Sequence, residues 1–233
     1  MFSPSSSWIH PIFTLVSRSL NYLNGEDLMM SVVREAMLFL YALGAIDDHR
    51  AITPIGNQMA SFPLEPTSAR TLIASFDLGC PNEILSLVAL LTYADSLMTT
   101  SSNVREQATE AHAKFIHRSG DHLTLLNVLT AYDALEGDKA QRRQWCADNF
   151  INFRTMANVL EARKQLRERC DRFGLDWKKS CGDDNLTLVL EACMSGYHQN
   201  TAIRFPDGTY KKTISRMVGY RTSRICDNCL VFP

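Results

Sequence analysis

The sequence predicts a mostly α fold, and three observations carry that prediction. Apolar residues recur at three- and four-residue spacing along most of the chain, the period of one helix face. Glycines and prolines stand where those runs stop or start, as helix ends require. Only two places read as hairpins, one near residue 50 and one past residue 200.

The 233 residues, 45% of them hydrophobic, suffice for two or three small domains with real cores. No run of eighteen apolar residues occurs. The stretch from Trp8 to Leu23 is broken by His10, Pro11, Ser17 and Arg18, so it reads neither as a membrane span nor as a secretory signal. Seven cysteines lie scattered without a framework, which suits reduced thiols and no structural disulfide. The formal net charge of -1 hides an asymmetry: residues 1–138 carry net -8, residues 139–179 net +6 and the remainder +1. Because charges are screened beyond about 8 to 10 Å, the middle block can neutralise phosphates locally even though the whole is nearly neutral.

Taken in order, residues 1–23 read as a Ser-rich leader. From Glu26 the positions Val33, Ala36, Met37 and Leu40 mark a helix that stops at Gly44. Ala45-Ile46 and Ala51-Ile52 flank the polar turn Asp47-Asp48-His49-Arg50, and Thr53-Pro54 has the order of an N-cap followed by proline at the first helical position. Helix, small hairpin and helix make a winged-helix plan, assigned to residues 24–79. After the prolines of Phe62-Pro63-Leu64-Glu65-Pro66, Thr67 or Ser68 is expected to cap a helix closed by Gly79.

Residues 80–178 read as a helical bundle. Ile84, Leu87, Val88 and Leu91 form one stripe, Val104, Ala108, Ala111 and Phe115 a second, and Leu125, Leu129 and Tyr132 a third. The longest helix is expected over Asn149–Phe173, with Phe153, Met156, Val159, Leu160, Leu166, Cys170 and Phe173 on one arc and Arg163 and Arg167 inside it. Residues 179–185 read as a linker. Leu186 to Met194 suggests a short helix, and Thr201–Ile203 with Tyr210–Ile214 a hairpin around Pro206-Asp207-Gly208.

Gly120-Asp121-His122 places an aspartate beside a histidine, yet no nucleophile accompanies them, and a capping role for Asp121 with a tight turn at Gly120 is the simpler reading. Arg154, Arg163, Lys164, Arg167 and Arg169 are candidates for phosphate contact, since a guanidinium binds phosphate oxygens through two parallel hydrogen bonds. For Arg163 and Arg167 an internal ion pair, with Glu161 or a bundle neighbour, competes with that role. Trp145, Phe150 and Phe153 could stack on bases, although core packing is the commoner fate, favoured for Trp145 and Phe153. Cys226-x-x-Cys229 lacks a matching second pair for zinc, and His112 and His117 read as solvated.

Ser119-Gly120-Asp121-His122-Leu123-Thr124-Leu125-Leu126-Asn127 and Trp145-Cys146-Ala147-Asp148-Asn149-Phe150, with Leu40-Tyr41-Ala42-Leu43-Gly44-Ala45-Ile46, Leu64-Glu65-Pro66 and Leu78-Gly79-Cys80 before them, resemble the helicase-associated region of DEAH-box RNA helicases over roughly residues 24–212. The resemblance implies a winged helix, a ratchet-like helical bundle and, over residues 186–233, an incomplete start of an oligonucleotide-binding barrel with a divergent tail after Met217. It implies single-stranded RNA as partner, with Arg154, Arg163, Arg167, Asn149, Asp121 and His122 as RNA-facing residues. Arg154 holds the last place of an Asn-Phe-x-x-x-Arg pattern that the family presents toward bases. A nuclear or nucleolar location follows from the same likeness, with a cytoplasmic one also open. The chain contains no Gly-x-x-x-x-Gly-Lys-Ser/Thr loop and no Asp-Glu-Ala-His run, so no ATPase activity and no cofactor are expected of it. Two other readings stand beside this one: a module that docks the helicase ATPase domains or a glycine-rich-patch (G-patch) protein, and a winged-helix DNA-binding protein. The net-negative first 138 residues argue against DNA.

Overall fold

Ten α-helices dominate the described residues, which in this computed structural model are 26–98, 104–205, 210–212 and 231–232. The leader, the Pro206-Asp207-Gly208 turn, Cys226-x-x-Cys229 and, apart from Val231–Phe232, the tail after Met217 lie outside them. Helix α1 (Glu26–Ala42) ends as expected at Gly44, whose φ of +73° lets the amides of Gly44 and Ala45 turn back to the carbonyls of Tyr41 and Leu40, each at 2.9 Å. The predicted hairpin is reduced to a single antiparallel bridge between Ile46 and Ile52. Asp47 closes its turn, because Oδ1 accepts from the amides of His49 and Ala51 at 2.9 and 2.8 Å. Thr53 then caps α2 (Pro54–Ala60): its Oγ1 accepts from the Gly56 amide at 3.0 Å and donates to the Gly44 carbonyl at 2.6 Å.

Helix α3 (Pro66–Leu78) begins before the expected Thr67 or Ser68 cap. Proline lacks an amide hydrogen and has its φ preset, so Pro66 can take the first helical position after Glu65. Ser68 instead meets the Tyr197 hydroxyl at 2.9 Å. Leu43, Ala45, Met59, Ala69 and Ile73 form a small first core among α1, α2 and α3.

Helix α4 (Pro81–Leu91) is the axis of the larger core, with Ile84, Leu85, Leu87, Ala89 and Leu90 fully out of water. A short α5 (Ala94–Leu97) follows, then α6 (Arg105–Ala113), α7 (Asp121–Asp133), α8 (Lys139–Asp148) and α9 (Phe153–Arg172). Helices α3, α7 and α9 pack on α4. The expected helix over Asn149–Phe173 starts four residues late, because Asn152 caps α9 by accepting from the amides of Arg154 and Thr155 at 3.0 and 3.2 Å. Gly120, at φ +116°, is the cap residue of α7, and Asp121 is already helical, so it does not cap through its side chain as expected. Its charge still suits the positive end of the helix.

Helix α10 (Thr187–Tyr197) returns along α3, closely enough that a Cβ on Gly196 would collide with the Thr67 carbonyl oxygen and Thr71 Oγ1. Three short strands complete the described chain: β1 (Ala202–Arg204) pairs antiparallel with β2 (Tyr210–Lys212) and parallel with β3 (Val231–Phe232). The predicted pairing of the first two strands is present. Three strands do not make an oligonucleotide-binding barrel, which needs five. No helix among the described residues is long and apolar enough to cross a membrane.

Candidate nucleic-acid interface

The turn between α8 and α9 is the most unusual stretch of backbone in the bundle. Phe150 holds a φ of +53°, a left-handed conformation costly for an aromatic residue. Asn149 beside it is buried, 3% exposed, with Nδ2 donating to the Trp145 carbonyl at 2.7 Å while Oδ1 has no partner among the described residues. The Asn149 carbonyl oxygen lies 2.9 Å from Nε2 of His112, which donates in the tautomer that carries hydrogen there. His112, expected to be solvated, is thus half-buried and holds the turn from α6.

Below the turn, the larger core fixes the start of α9. The Asn152 amide donates to the Leu97 carbonyl at 2.8 Å, Met98 and Ile151 form an antiparallel bridge, and Thr155 Oγ1 donates to the Ser96 carbonyl at 3.2 Å. Trp145 packs edge-on to Tyr132 and tilted to Phe115, with centroids 5.7 and 5.9 Å away, and Phe153 rests on the same core. Packing is the role the structure shows for both rings.

Arg154 is exposed in the first turn of α9, and its guanidinium has no hydrogen bond or ion pair with the described residues. A cation at a helix N-terminus is electrostatically misplaced. An anion there would meet the arginine at the positive end of the helix, although Asn152 already takes the amides of Arg154 and Thr155.

The other expected residues are not gathered at this turn. Arg163 lies three turns along α9, where Nη1 and Nη2 grip the Asp133 carboxylate of α7 at 2.6 and 3.0 Å. The bundle neighbour, and not Glu161, is therefore its partner, and its fork is filled. Arg167 sits one turn further. Its guanidinium lies 4.6 Å from the Trp177 ring centroid and one nitrogen reaches Asn82 Oδ1 at 3.3 Å. Burial, and then the neighbouring charge of Arg163, pull its pKa below the usual value, while Asp133 opposes the shift.

Asp121 is exposed at the start of α7, and His122 is buried at 8% exposure. Burial lowers the imidazole pKa below its ordinary value, with Asp121 opposing, so a neutral ring is favoured. Hydrogen bonds connect Asn149 to His112 and Trp145, not to Asp121 or His122. The sequence reading missed His112, and the signal was weak, because a single polar residue near a helix end carries no pattern of its own. Among the described residues no group of histidines, cysteines or carboxylates is arranged to hold a metal ion.

Residues 36–64 match the winged-helix part of the helicase associated domain (HA2), and residues 65–125 match its ratchet-like part. The chain is 38% identical over 184 residues to the human ATP-dependent RNA helicase DHX33, which covers 78% of this chain and 25% of that protein. It is 35% identical over 218 residues to the pre-mRNA-splicing factor ATP-dependent RNA helicase prp22 of Schizosaccharomyces pombe, covering 91% of this chain and 18% of that one. Identity to the human probable ATP-dependent RNA helicase DHX35 is 34% over 178 residues, 76% of this chain and 24% of the relative. The chain thus spans a quarter or less of the length of these relatives.

Proposed function

The chain belongs to the helicase-associated region of the DEAH-box RNA helicases, and from that premise we propose that it binds single-stranded RNA at the α8–α9 turn as the accessory part of an ATP-driven motor. The observation that carries the reading is Arg154, a guanidinium without a counter-charge among the described residues, at the positive end of their longest helix. Asn149, buried in the same turn, fixes the backbone that leads to Arg154. A site that meets phosphate through Arg154 would hold any sequence alike, as a strand-conducting channel requires. Arg163 and Arg167 serve the bundle instead, by holding α9 to α7 and α4. Asp121 and His122 shape the entry to α7. Coupling of ATPase-domain motion to RNA movement belongs to the parent protein, because no triphosphate-binding loop stands in this sequence. The relatives' names concern RNA, and one of them pre-mRNA splicing, which suits a nuclear, nucleolar or cytoplasmic place of action.

One observation favours docking as a second role. Helix α1 leaves Met30 65%, Val33 38%, Leu38 44% and Tyr41 47% exposed along one side, an apolar stripe that ATPase domains of the parent or a G-patch protein could cover.

Fluorescence anisotropy with a short unstructured RNA tests the leading reading. Arg154→Ala should weaken binding about equally for all sequences and lower the log-log salt slope by roughly 0.7. Unchanged affinity and slope would remove the RNA surface and leave the docking role.

A further inference from the structure

Between α9 and α10 the chain doubles back over the N-terminus of α4. The Asn82 amide donates to the Lys179 carbonyl at 3.2 Å, Ser180 Oγ donates to Glu83 Oε1, and the Lys179 side chain passes 3.0 Å from where a Cβ on Gly79 would stand. The charged groups of Arg167 and Lys178 lie 4.6 and 5.8 Å from the Trp177 ring centroid, and the indole nitrogen donates to Asp171 at 2.7 Å. The polar linker expected over residues 179–185 is therefore fastened.

The fastening is poorly balanced. Glu83 Oε2 and Arg167 Nε are two of the four buried side-chain polar atoms without a protein partner among the described residues, and both belong to residues that this segment covers. Closing the segment withdraws these two charged groups from water and returns no hydrogen bond to either atom. Opening it would hydrate both. Leu175, Trp177 and Cys181 rest on the larger core but are only half-buried, so the apolar area that opposes the opening is limited to parts of three side chains.

We propose that residues 174–184 form a strap poised to open independently of the core, which ties the C-terminal end of α9 to α4 when closed and frees it when open. The strap is a conformational device of the bundle and does not depend on the RNA reading.

Native-state hydrogen exchange on the full chain tests it. The amides of Asn82 and Gly182, which the strap protects, should exchange about a hundredfold faster than those of Leu87 and Val88 in α4. Low urea should leave the first pair unaffected while it accelerates the second. Two variants should move the strap in opposite directions. Ser180→Ala removes the donor to Glu83 and should speed exchange of Asn82 about fivefold. Glu83→Gln keeps the acceptor for Ser180 and buries a neutral group in place of a charged one, so exchange should slow about threefold. Equal protection and equal urea dependence in strap and core would overturn the proposal, as would two variants that shift Asn82 the same way or leave it unmoved.

Discussion

Replacing Asp133 by Asn keeps the shape of the side chain on α7 and removes the negative charge that Arg163 and Arg167 both face. Arg163 is 11% exposed in its side chain and Asp133 40%, so the pair lies between two limits. Breaking one side of a fully buried pair costs about 3 to 5 kcal/mol, whereas exposed pairs contribute about 0 to 1 kcal/mol. The grip is bidentate at 2.6 and 3.0 Å, which favours the upper limit, but the carboxylate still meets water and screening draws the value down. The expected cost of Asp133→Asn is about 2 kcal/mol. Arg163→Met should cost less, about 1 kcal/mol, because it also relieves the repulsion that Arg163 exerts on Arg167. Urea unfolding followed by circular dichroism measures each, with midpoints in thermal melts about 2 to 4 °C lower per kcal/mol for a chain of this size. The double variant should show a coupling of about 1 kcal/mol. Single costs that simply add, or an Asp133→Asn cost below about 0.5 kcal/mol, would refute the claim that this pair pins α9 to α7.

Three further outcomes follow from the packing and the sequence. His122 has its folded pKa lowered by burial, so the unfolded chain binds more protons between that value and about 6.5. Stability from this group is complete above pH of about 6.5 and is lost as pH falls toward the folded pKa, by at most about 1.4 kcal/mol per pH unit, and His122→Gln should flatten that part of a stability-versus-pH curve. Gly196→Ala should cost about 1 to 3 kcal/mol in denaturant, since its methyl group would meet the α3 backbone at Thr67; a variant as stable as the parent would mean that α10 can back away from α3 freely. The purified chain should show no ATP hydrolysis with or without RNA, and turnover that tracks protein concentration through purification would contradict that expectation.

Helix identity and helix endings were legible wherever one residue type does a single physical job. Gly44 and Gly79 close helices in the left-handed region, and Thr53-Pro54 opens one, as their chemistry dictates. The start of α9 was harder because no glycine or proline stands just before it, and the true boundary rests on one capping side chain, Asn152. Asp121 misled for a related reason: aspartate suits both the cap and the first turn, and only the backbone at Gly120 decides between them. Site residues were less legible. A helical wheel placed Arg163 and Arg167 on a buried face but could not supply Asp133 or Trp177, which approach from α7 and from beyond α9. Asn149 stood out through a motif, whereas its support from His112 depends on how α6 crosses the bundle, which local pattern does not encode.

The seam between α3 and α10 also constrains the order in which this chain can mature. Ser68 and Tyr197 share a hydrogen bond across 129 positions, and Gly196, with no side chain of its own, lets the two helices come together at Thr67 and Thr71. On a ribosome that adds roughly 5 to 20 residues each second, α3 is finished on the order of ten seconds before its partner is made. During that interval α3 has the small core with Leu43 and Met59 on one side and nothing from α10 on the other. The winged helix can therefore form early as a collapsed unit, but its final face closes only after nearly the whole bundle has been synthesised. Ordering so long a loop makes this joint a late step, so a lesion at residue 196 would slow maturation of a helix translated near the beginning.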